Sequence, residues 1–248
     1  MRNIGPLLIT SIRHTFRSRS AIFVWIILVL MLSGTATTLI CVFLIAPAVE
    51  AQVVDRHVVE LYLTLVVYFA CLMGTGLALN VFTAQPMVKE KAQRTIESLL
   101  ATPLKVREIW LAKSLAIALP GMLVGDVFGL VTLVVVNCVY VVPRMGFLIT
   151  PQMAICSFVV VPAIFFSLSL LVHLVGLTGD AIVGAVIAQI SVSIIATLMT
   201  NLGAHSTPDP TSWLFALINL LIAAGFGIAV LVLQPWLTKE RIVLSCRK

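Results

Sequence analysis

Few residues of this chain have the type and setting to do chemistry. Asp126 is the one carboxylate deep inside an apolar run, where it could serve substrate or proton transfer, or instead fix helix contacts. His173 also lies in an apolar run, and we expect it to be a structural histidine. Asp55 and His57 could ligate a metal, but no second cluster completes a site, which favours a solvated loop and no metal.

Known catalytic motifs are absent from the sequence. It has no HExxH, no GxSxG and no convergent acid–base set, so an intramembrane enzyme is disfavoured. It also lacks the GxxxxGK[ST] phosphate loop, since Lys113 and Ser114 have no glycine framework upstream. The five cysteines show no CxxC or metal spacing. We therefore predict no catalytic residue, no ATP hydrolysis and no cofactor bound by this chain itself.

The composition excludes most classes of protein. Of 248 residues, 60% are hydrophobic and 10% are charged, and the mean hydropathy is +1.14. Soluble domains are about 45–50% apolar and about 25% charged, so a soluble globular protein, a disordered chain and a secreted disulfide scaffold are excluded. The net charge of +6 does not indicate nucleic acid, because the basic residues lie in loops between apolar runs. The remaining class is a polytopic membrane protein in the lipid bilayer.

Six apolar runs are long enough to cross a bilayer as helices, which takes about 20 residues. No run alternates with period two, so the sequence predicts an all-α protein with six transmembrane helices. Pro120 and Gly121 predict a kink in the overlong third run. The predicted spans cover residues 21–46, 58–84, 111–142, 152–177, 181–202 and 213–237.

Polar and small residues inside these runs are expected to join helices. Amide side chains predict hydrogen bonds between helices at Asn80, Asn137, Gln189 and Asn219. Glycines predict close helix approach at Gly74, Gly76, Gly225 and Gly227.

Basic residues set the orientation. With the N-terminus in the cytoplasm, only Arg56 and Arg144 of the 16 basic residues lie outside, and the reverse topology violates the positive-inside rule. We predict a multi-pass protein of the plasma membrane with both termini in the cytoplasm. Residues 1–20 predict an amphipathic interfacial helix, with a basic tail of no fixed structure as the alternative. Residues 21–248 form the six-span domain, and the length of the first run disfavours a signal peptide.

The most informative loop is the segment 85–113 between spans two and three, which is too charged to cross a membrane. Glu90 and Arg94 are spaced for an ion pair. Pro103 disfavours helix at Thr102, so a first helix should end near Ala101 and a second should begin with Thr102 as its cap. The first helix carries an apolar stripe formed by Val88, Ala92, Ile96, Leu99 and Leu100. From physical reasoning alone, two interpretations of this segment are equally supported. It could be a connector that rests on lipid headgroups, or it could be a docking element for a cytoplasmic partner.

A family signature can be read in the same segment. Its residues are Glu90 and Lys91, Thr95 to Glu97, Leu99 to Leu104, Arg107 to Ile109, and Lys113. Together they resemble the cytoplasmic signature of ABC transporter permeases of the type-2 exporter family, a GTLE-LL-TPL…EI…GK pattern after the second of six spans. The usual glycines of that pattern are Arg94 and Ala112 here.

The resemblance implies a role for the whole segment. It implies that residues 85–113 form a coupling helix in a groove of a separate cytoplasmic ABC ATPase subunit, which uses ATP and Mg²⁺. It also implies a second permease subunit, identical or similar, in an ATP-driven exporter. The residues implied to couple to the ATPase are Glu90, Arg94, Thr95, Glu97, Leu99, Leu100, Thr102, Pro103, Leu104, Arg107 and Glu108. The alternative is a secondary transporter or channel that uses Asp126 for ion or proton coupling.

Overall fold

The fold was analysed in a computed structural model of the chain, which describes residues 4–16, 19–50, 55–93, 96, 101, 104–204 and 209–245. Within these residues the secondary structure is helical, without strands. We number the helices in chain order as α1 (Ile4–Thr15), α2 (Arg19–Glu50), α3 (Arg56–Ala92), α4 (Val106–Met145), α5 (Pro151–Thr178), α6 (Ala181–Ala204), α7 (Trp213–Leu233) and α8 (Lys239–Ser245). The predicted all-α class is confirmed.

Five helices are long and apolar enough to cross a membrane, namely α2 to α5 and α7 with its following 3-10 turn. The sixth predicted span is the helix α6, whose apolar stretch among the described side chains is Ile182–Thr197. That stretch is shorter than a bilayer needs, so the sixth crossing stays a prediction.

Two helices form the centre of the bundle. The apolar windows of α3 and α5 are 67% and 61% buried, whereas those of α2, α4 and α7 are 17–28% buried. The three outer helices therefore present apolar faces such as Leu123, Leu221 and Leu231 outward. Because lipid is as apolar as these side chains, this arrangement is stable only in a membrane or against a partner.

Three of the long helices contain one π turn each, at Cys41–Ile45, Asn137–Val141 and Cys156–Val160. In each case a proline follows two residues after the turn, as Pro47, Pro143 or Pro162. Proline has no N–H and its ring crowds the carbonyl four residues earlier, so the helix widens there to an i to i−5 hydrogen bond. Pro120 lies inside α4 without a π turn.

Loop contacts group the helix ends into two layers. We call inner the ends predicted to face the cytoplasm, and outer the opposite ends. Lys91, Gly179 and Ser245 meet at the inner ends of three different helices. Arg144 donates to the backbone oxygen of Val49 at the outer ends, at 2.6 Å. These contacts fit a chain that alternates between two sides.

The buried amide of Asn137 fixes the loop after α4. Its side-chain nitrogen donates to the backbone oxygens of Leu133 and Leu148, and its oxygen accepts from the N–H of Leu148. It therefore joins its helix to a loop, whereas the sequence predicted a bond between helices.

The helix α1 packs against α4. Leu8, Ile12 and Phe16 recur at every fourth residue of this apolar face and are half-buried, and Arg13 is exposed. Phe16 contacts the ring of Phe82, with 4.7 Å between centroids. The predicted helix is therefore present, docked on the bundle.

Candidate functional site

The segment 85–113 is built partly from extensions of the neighbouring spans. α3 continues without a break to Ala92, so the second span and the first part of the segment are one helix. α4 begins at Val106, because Lys105 is extended and the carboxylate of Glu108 accepts from its N–H at 3.3 Å. The predicted start at Pro103, with Thr102 as its cap, is therefore wrong, since Leu104 and Lys105 are not helical.

An ion pair closes the segment at its base. Lys113 of α4 donates to the carboxylate of Glu90 of α3, and both side chains are largely buried. The predicted partner of Glu90 was Arg94, which lies outside the described residues. This pair links α3 to α4 and so holds the two ends of the segment together, which a pair within one helix would not do.

An apolar cluster, which we call the inner core, lies beneath the segment. Ile96 is 2% exposed and packs with Ile109 and Trp110 against residues of α5 and α7. The indole N–H of Trp110 donates to the backbone oxygen of Leu170 at 3.0 Å. Ile96 therefore lies on the predicted buried stripe, and the segment has a fixed apolar underside.

The side chain of Lys91 is the most buried cation in the described part of the chain. It is 8% exposed, and its ammonium group donates to the backbone oxygen of Gly179 and to the hydroxyl of Ser245, the latter at 2.8 Å. Ser245 in turn donates to the backbone oxygen of Leu177 at 3.1 Å. Lys91 therefore connects the segment to the turn between α5 and α6 and to α8.

We expect Lys91→Met to speed amide hydrogen exchange in α8 and in residues 178–180 by roughly tenfold, because a hydrogen bond from a charged donor contributes about 1.5 kcal/mol or more. Hydrogen–deuterium exchange with mass spectrometry measures this. Lys105→Met, which removes an exposed lysine of the same segment, should leave those rates unchanged. Equal rates in wild type and Lys91→Met would show that these bonds do not hold α8.

The predicted coupling residues divide into two groups. Among the described ones, Leu104 is half-buried against the inner core, Arg107 is exposed, and Glu108 caps α4. Seven others lie outside the described residues: Arg94, Thr95, Glu97, Leu99, Leu100, Thr102 and Pro103. The side chains of Val88 and Ala92 also lie outside them.

A close contact between α3 and α4, which we call the glycine seam, crosses the middle of the bundle. Gly121, Gly125 and Gly129 of α4 pack against residues 71–78 of α3. A Cβ on Gly125 would lie 2.5 Å from Cγ2 of Thr75 and 2.9 Å from the oxygen of Cys71. The sequence analysis missed this seam, although its GxxxGxxxG spacing is the known signal of such packing.

Asp126 follows the seam glycine Gly125, near the middle of α4. Its side chain is half-buried, and its Oδ1 atom is buried without a hydrogen-bond partner among the described residues. Met122, one turn away, lines a cavity of about 10 Å³ between α3, α4 and α5, which has room for about one water molecule. The structure therefore places a carboxylate oxygen with unused hydrogen-bonding capacity at mid-span.

Other predicted polar residues are paired inside the bundle. Tyr68 donates to Oδ1 of Asn219 at 2.6 Å, which confirms a hydrogen bond between helices. Nδ1 of the buried His173 lies 2.8 Å from the backbone oxygen of Ser169 in its own helix, which is the contact expected of a structural histidine.

Several predicted contacts are corrected. Gln189 is exposed, and its side chain has no hydrogen-bond partner in the described part of the chain. Gly74 and Gly76 do allow close approach, but Gly225 and Gly227 have no neighbouring atom within 4 Å of a Cβ position. The last two glycines therefore face outward.

The charged residues at the outer end form local contacts. Asp55 accepts from the N–H of His57 at the start of α3, and the imidazole of His57 lies 2.7 Å from the carboxylate of Asp209. Burial opposes ionisation of Asp209, but hydrogen bonds from Thr211 and the nearby His57 outweigh it and hold its pKa below 3.8. No group of three metal-ligand side chains occurs within the described residues.

The Asp209 contacts predict a stability effect in acid. Because the unfolded chain takes up this proton first, the contribution is complete above pH 3.8 and is lost as the pH falls through the lower folded pKa. At pH 6 we expect the free energy of unfolding of wild type to be higher than that of Asp209→Asn by less than about 1 kcal/mol. Below pH 3.8 this difference should shrink. Thermal unfolding in detergent from pH 6 to pH 3 measures it, with Glu240→Gln of α8 as control. A constant difference across that range would contradict the assignment.

Comparisons with protein-family models, with curated proteins and with solved structures found no match to this chain.

Proposed function

We propose that this chain is the membrane-spanning permease subunit of an ATP-driven exporter that resembles the type-2 ABC family. The observation that carries the proposal is the signature between α3 and α4, from Glu90 to Lys113. A partner ATPase binds ATP and Mg²⁺ and hydrolyses the ATP. This chain and a second permease subunit together form the translocation path. Its place is the plasma membrane, with both termini in the cytoplasm.

The contacts of the segment support a coupling role. Glu90 and Lys113 clamp its two ends, and Ile96 anchors its underside in the inner core. Lys91 connects it to the turn before α6 and to α8. A force applied to the segment by a partner would therefore reach α5, α7 and α8 through packed contacts rather than through a loose loop.

Co-purification tests the proposal. The tagged chain is expressed with each candidate phosphate-loop ATPase from the same source, extracted in mild detergent and pulled down. We expect wild type to retain the ATPase, and Glu97→Arg to lose it by roughly tenfold or more, since a charge of the wrong sign opposes docking.

A matched variant controls for nonspecific charge effects. Glu240→Arg makes the same change on α8, where the residue is exposed. It should retain the ATPase. Failure of wild type to capture the ATPase would overturn the proposal.

One observation favours a second candidate function. The unpartnered Oδ1 of Asp126 near the middle of α4 suits a secondary transporter or channel with an ion- or proton-coupling carboxylate. In that case, ion- or proton-coupled flux in liposomes that contain this chain alone needs no ATPase and responds to a pH gradient. The Asp126→Asn variant should abolish that flux.

A further inference from the structure

An exposed tryptophan lies at the inner end of α7, where the apolar helix meets the lipid headgroups. The apolar stretch Trp213–Trp236 has 24 residues, so about 36 Å of helix crosses a hydrocarbon core of about 30 Å. Its first and last residues therefore lie near the two boundaries between hydrocarbon and headgroups, where tryptophan is enriched. Trp236 is 54% exposed at the inner boundary.

A cation is stacked on this ring. The guanidinium carbon of Arg241 lies 4.7 Å from the centroid of the Trp236 ring. The chain reaches this arrangement because its backbone leaves the helical conformation at Leu237, after which α8 packs on the inner core through Ile242. Within the described chain, the N–H groups of this guanidinium have no hydrogen-bond or ion-pair partner. A planar donor group is therefore held at the membrane boundary with its donors unused.

This pair has the chemistry to bind a phospholipid phosphate. A guanidinium presents a planar fork of donors that matches two phosphate oxygens. Residues 237–248 include four basic residues and one acidic one, a net charge of +3, which favours an anionic headgroup over a zwitterionic one. The exposed Leu244 on α8 adds apolar contact with the acyl region. We infer that Trp236 and Arg241 form a binding site for the phosphate group of an anionic phospholipid such as phosphatidylglycerol.

The inference goes beyond the proposed function, because the site needs no ATPase and is compatible with either candidate function. Arg241 and Ser245 lie on the same short helix, and the hydroxyl of Ser245 accepts from Lys91 of the segment 85–113. The lipid therefore gives α8 a second attachment, to the membrane, besides its contact with that segment.

Fluorescence quenching by brominated lipids tests the inference, because bromine on an acyl chain quenches only tryptophans that contact that lipid. The purified full chain is reconstituted into phosphatidylcholine vesicles in which part of the lipid is brominated phosphatidylglycerol or brominated phosphatidylcholine. The quenching that is lost in Trp236→Phe or in Trp213→Phe is the contribution of that tryptophan.

We expect Trp236 to prefer the anionic quencher by roughly fivefold, the effect of one basic residue at a charged membrane surface. Trp213 is the control for ordinary lipid contact. It is 56% exposed at the outer end of the same helix, and the charged residue nearest to it in the sequence is Asp209, so it should show no such preference. Equal preferences at the two tryptophans, or no quenching of Trp236 by either lipid, would overturn the inference.

Two charge variants separate a site from a general attraction to basic residues. Arg241→Gln should remove the preference at Trp236. Arg19→Gln removes the same charge from an exposed residue at the inner start of α2, which packs on α3, and should leave the preference unchanged. An equal loss in both variants would contradict a specific site. Inorganic phosphate at millimolar concentration should not displace the brominated phosphatidylglycerol, and displacement would mean that the site binds free phosphate rather than lipid.

Discussion

Gly125→Val should destabilise the protein by about 3 kcal/mol or more, whereas Gly225→Val should change its stability by less than about 0.5 kcal/mol. The new side chain at Gly125 would meet Thr75 at 2.5 Å and the backbone of Cys71 at 2.9 Å. Backbone atoms cannot rotate away as a flexible side chain can, so α3 and α4 would have to separate. At Gly225 the space around a Cβ is open.

The measurement is thermal unfolding of both variants in the same detergent. Both place valine in an apolar helix, so helix propensity and hydropathy change equally, and only the packing differs. A similar loss of stability in both would mean that the glycine seam does not hold the bundle together.

The sequence predicted the helices well because the bilayer imposes a strong length constraint. The predicted spans 58–84 and 152–177 lie within helices α3 and α5. Which helices would be central could not be predicted, because a residue facing lipid and a residue facing protein are equally apolar. The seam glycines did mark the contact face of α4, and Gly225 shows why a single outward glycine can mislead.

Some local features had a readable signal that was not used. The three π turns each precede a proline by the same spacing, as at Pro47 and Pro162, but Pro120 lies in a helix without such a turn, so a proline indicates a π turn without fixing its place. The Lys113–Glu90 pair had no such signal, because 23 residues separate its members and only the return of the chain brings them together. The same holds for Lys91 and Ser245.

In the candidate site, too, some features could be predicted from local sequence signals and others could not. Periodicity predicted that Ile96 would be buried, and it is. The start of α4 was predicted from Pro103, but the carboxylate of Glu108 three residues after Lys105 is the stronger local signal. Residues 95–100, which carry part of the resemblance to the permease family, lie outside the described residues except for Ile96, so their proposed role is tested by the ATPase experiment.

Asp126→Leu should stabilise the protein by about 2 kcal/mol or more, which is the second large effect we expect, and under the second candidate function it should also abolish proton-driven flux in liposomes. A carboxylate at mid-helix costs roughly 2.5–3.5 kcal/mol in a membrane, and Oδ1 of Asp126 is buried without a partner that could offset this. Asn219→Leu is the matched contrast. It also replaces a polar residue in a span, but Asn219 accepts from Tyr68 and donates to Phe215, so its loss should destabilise by about 0.6–2 kcal/mol.

Opposite signs of the two stability changes, measured by thermal unfolding, would separate the two interpretations of Asp126 that the sequence left open. If Asp126→Leu destabilises as Asn219→Leu does, the carboxyl group fixes helix contacts and is not available for transport. If Asp126→Leu stabilises the protein while proton-driven flux in liposomes is lost, the carboxylate lowers the stability of the fold and is required for that flux. Residues of that kind lie at functional sites, because selection for packing alone would replace them.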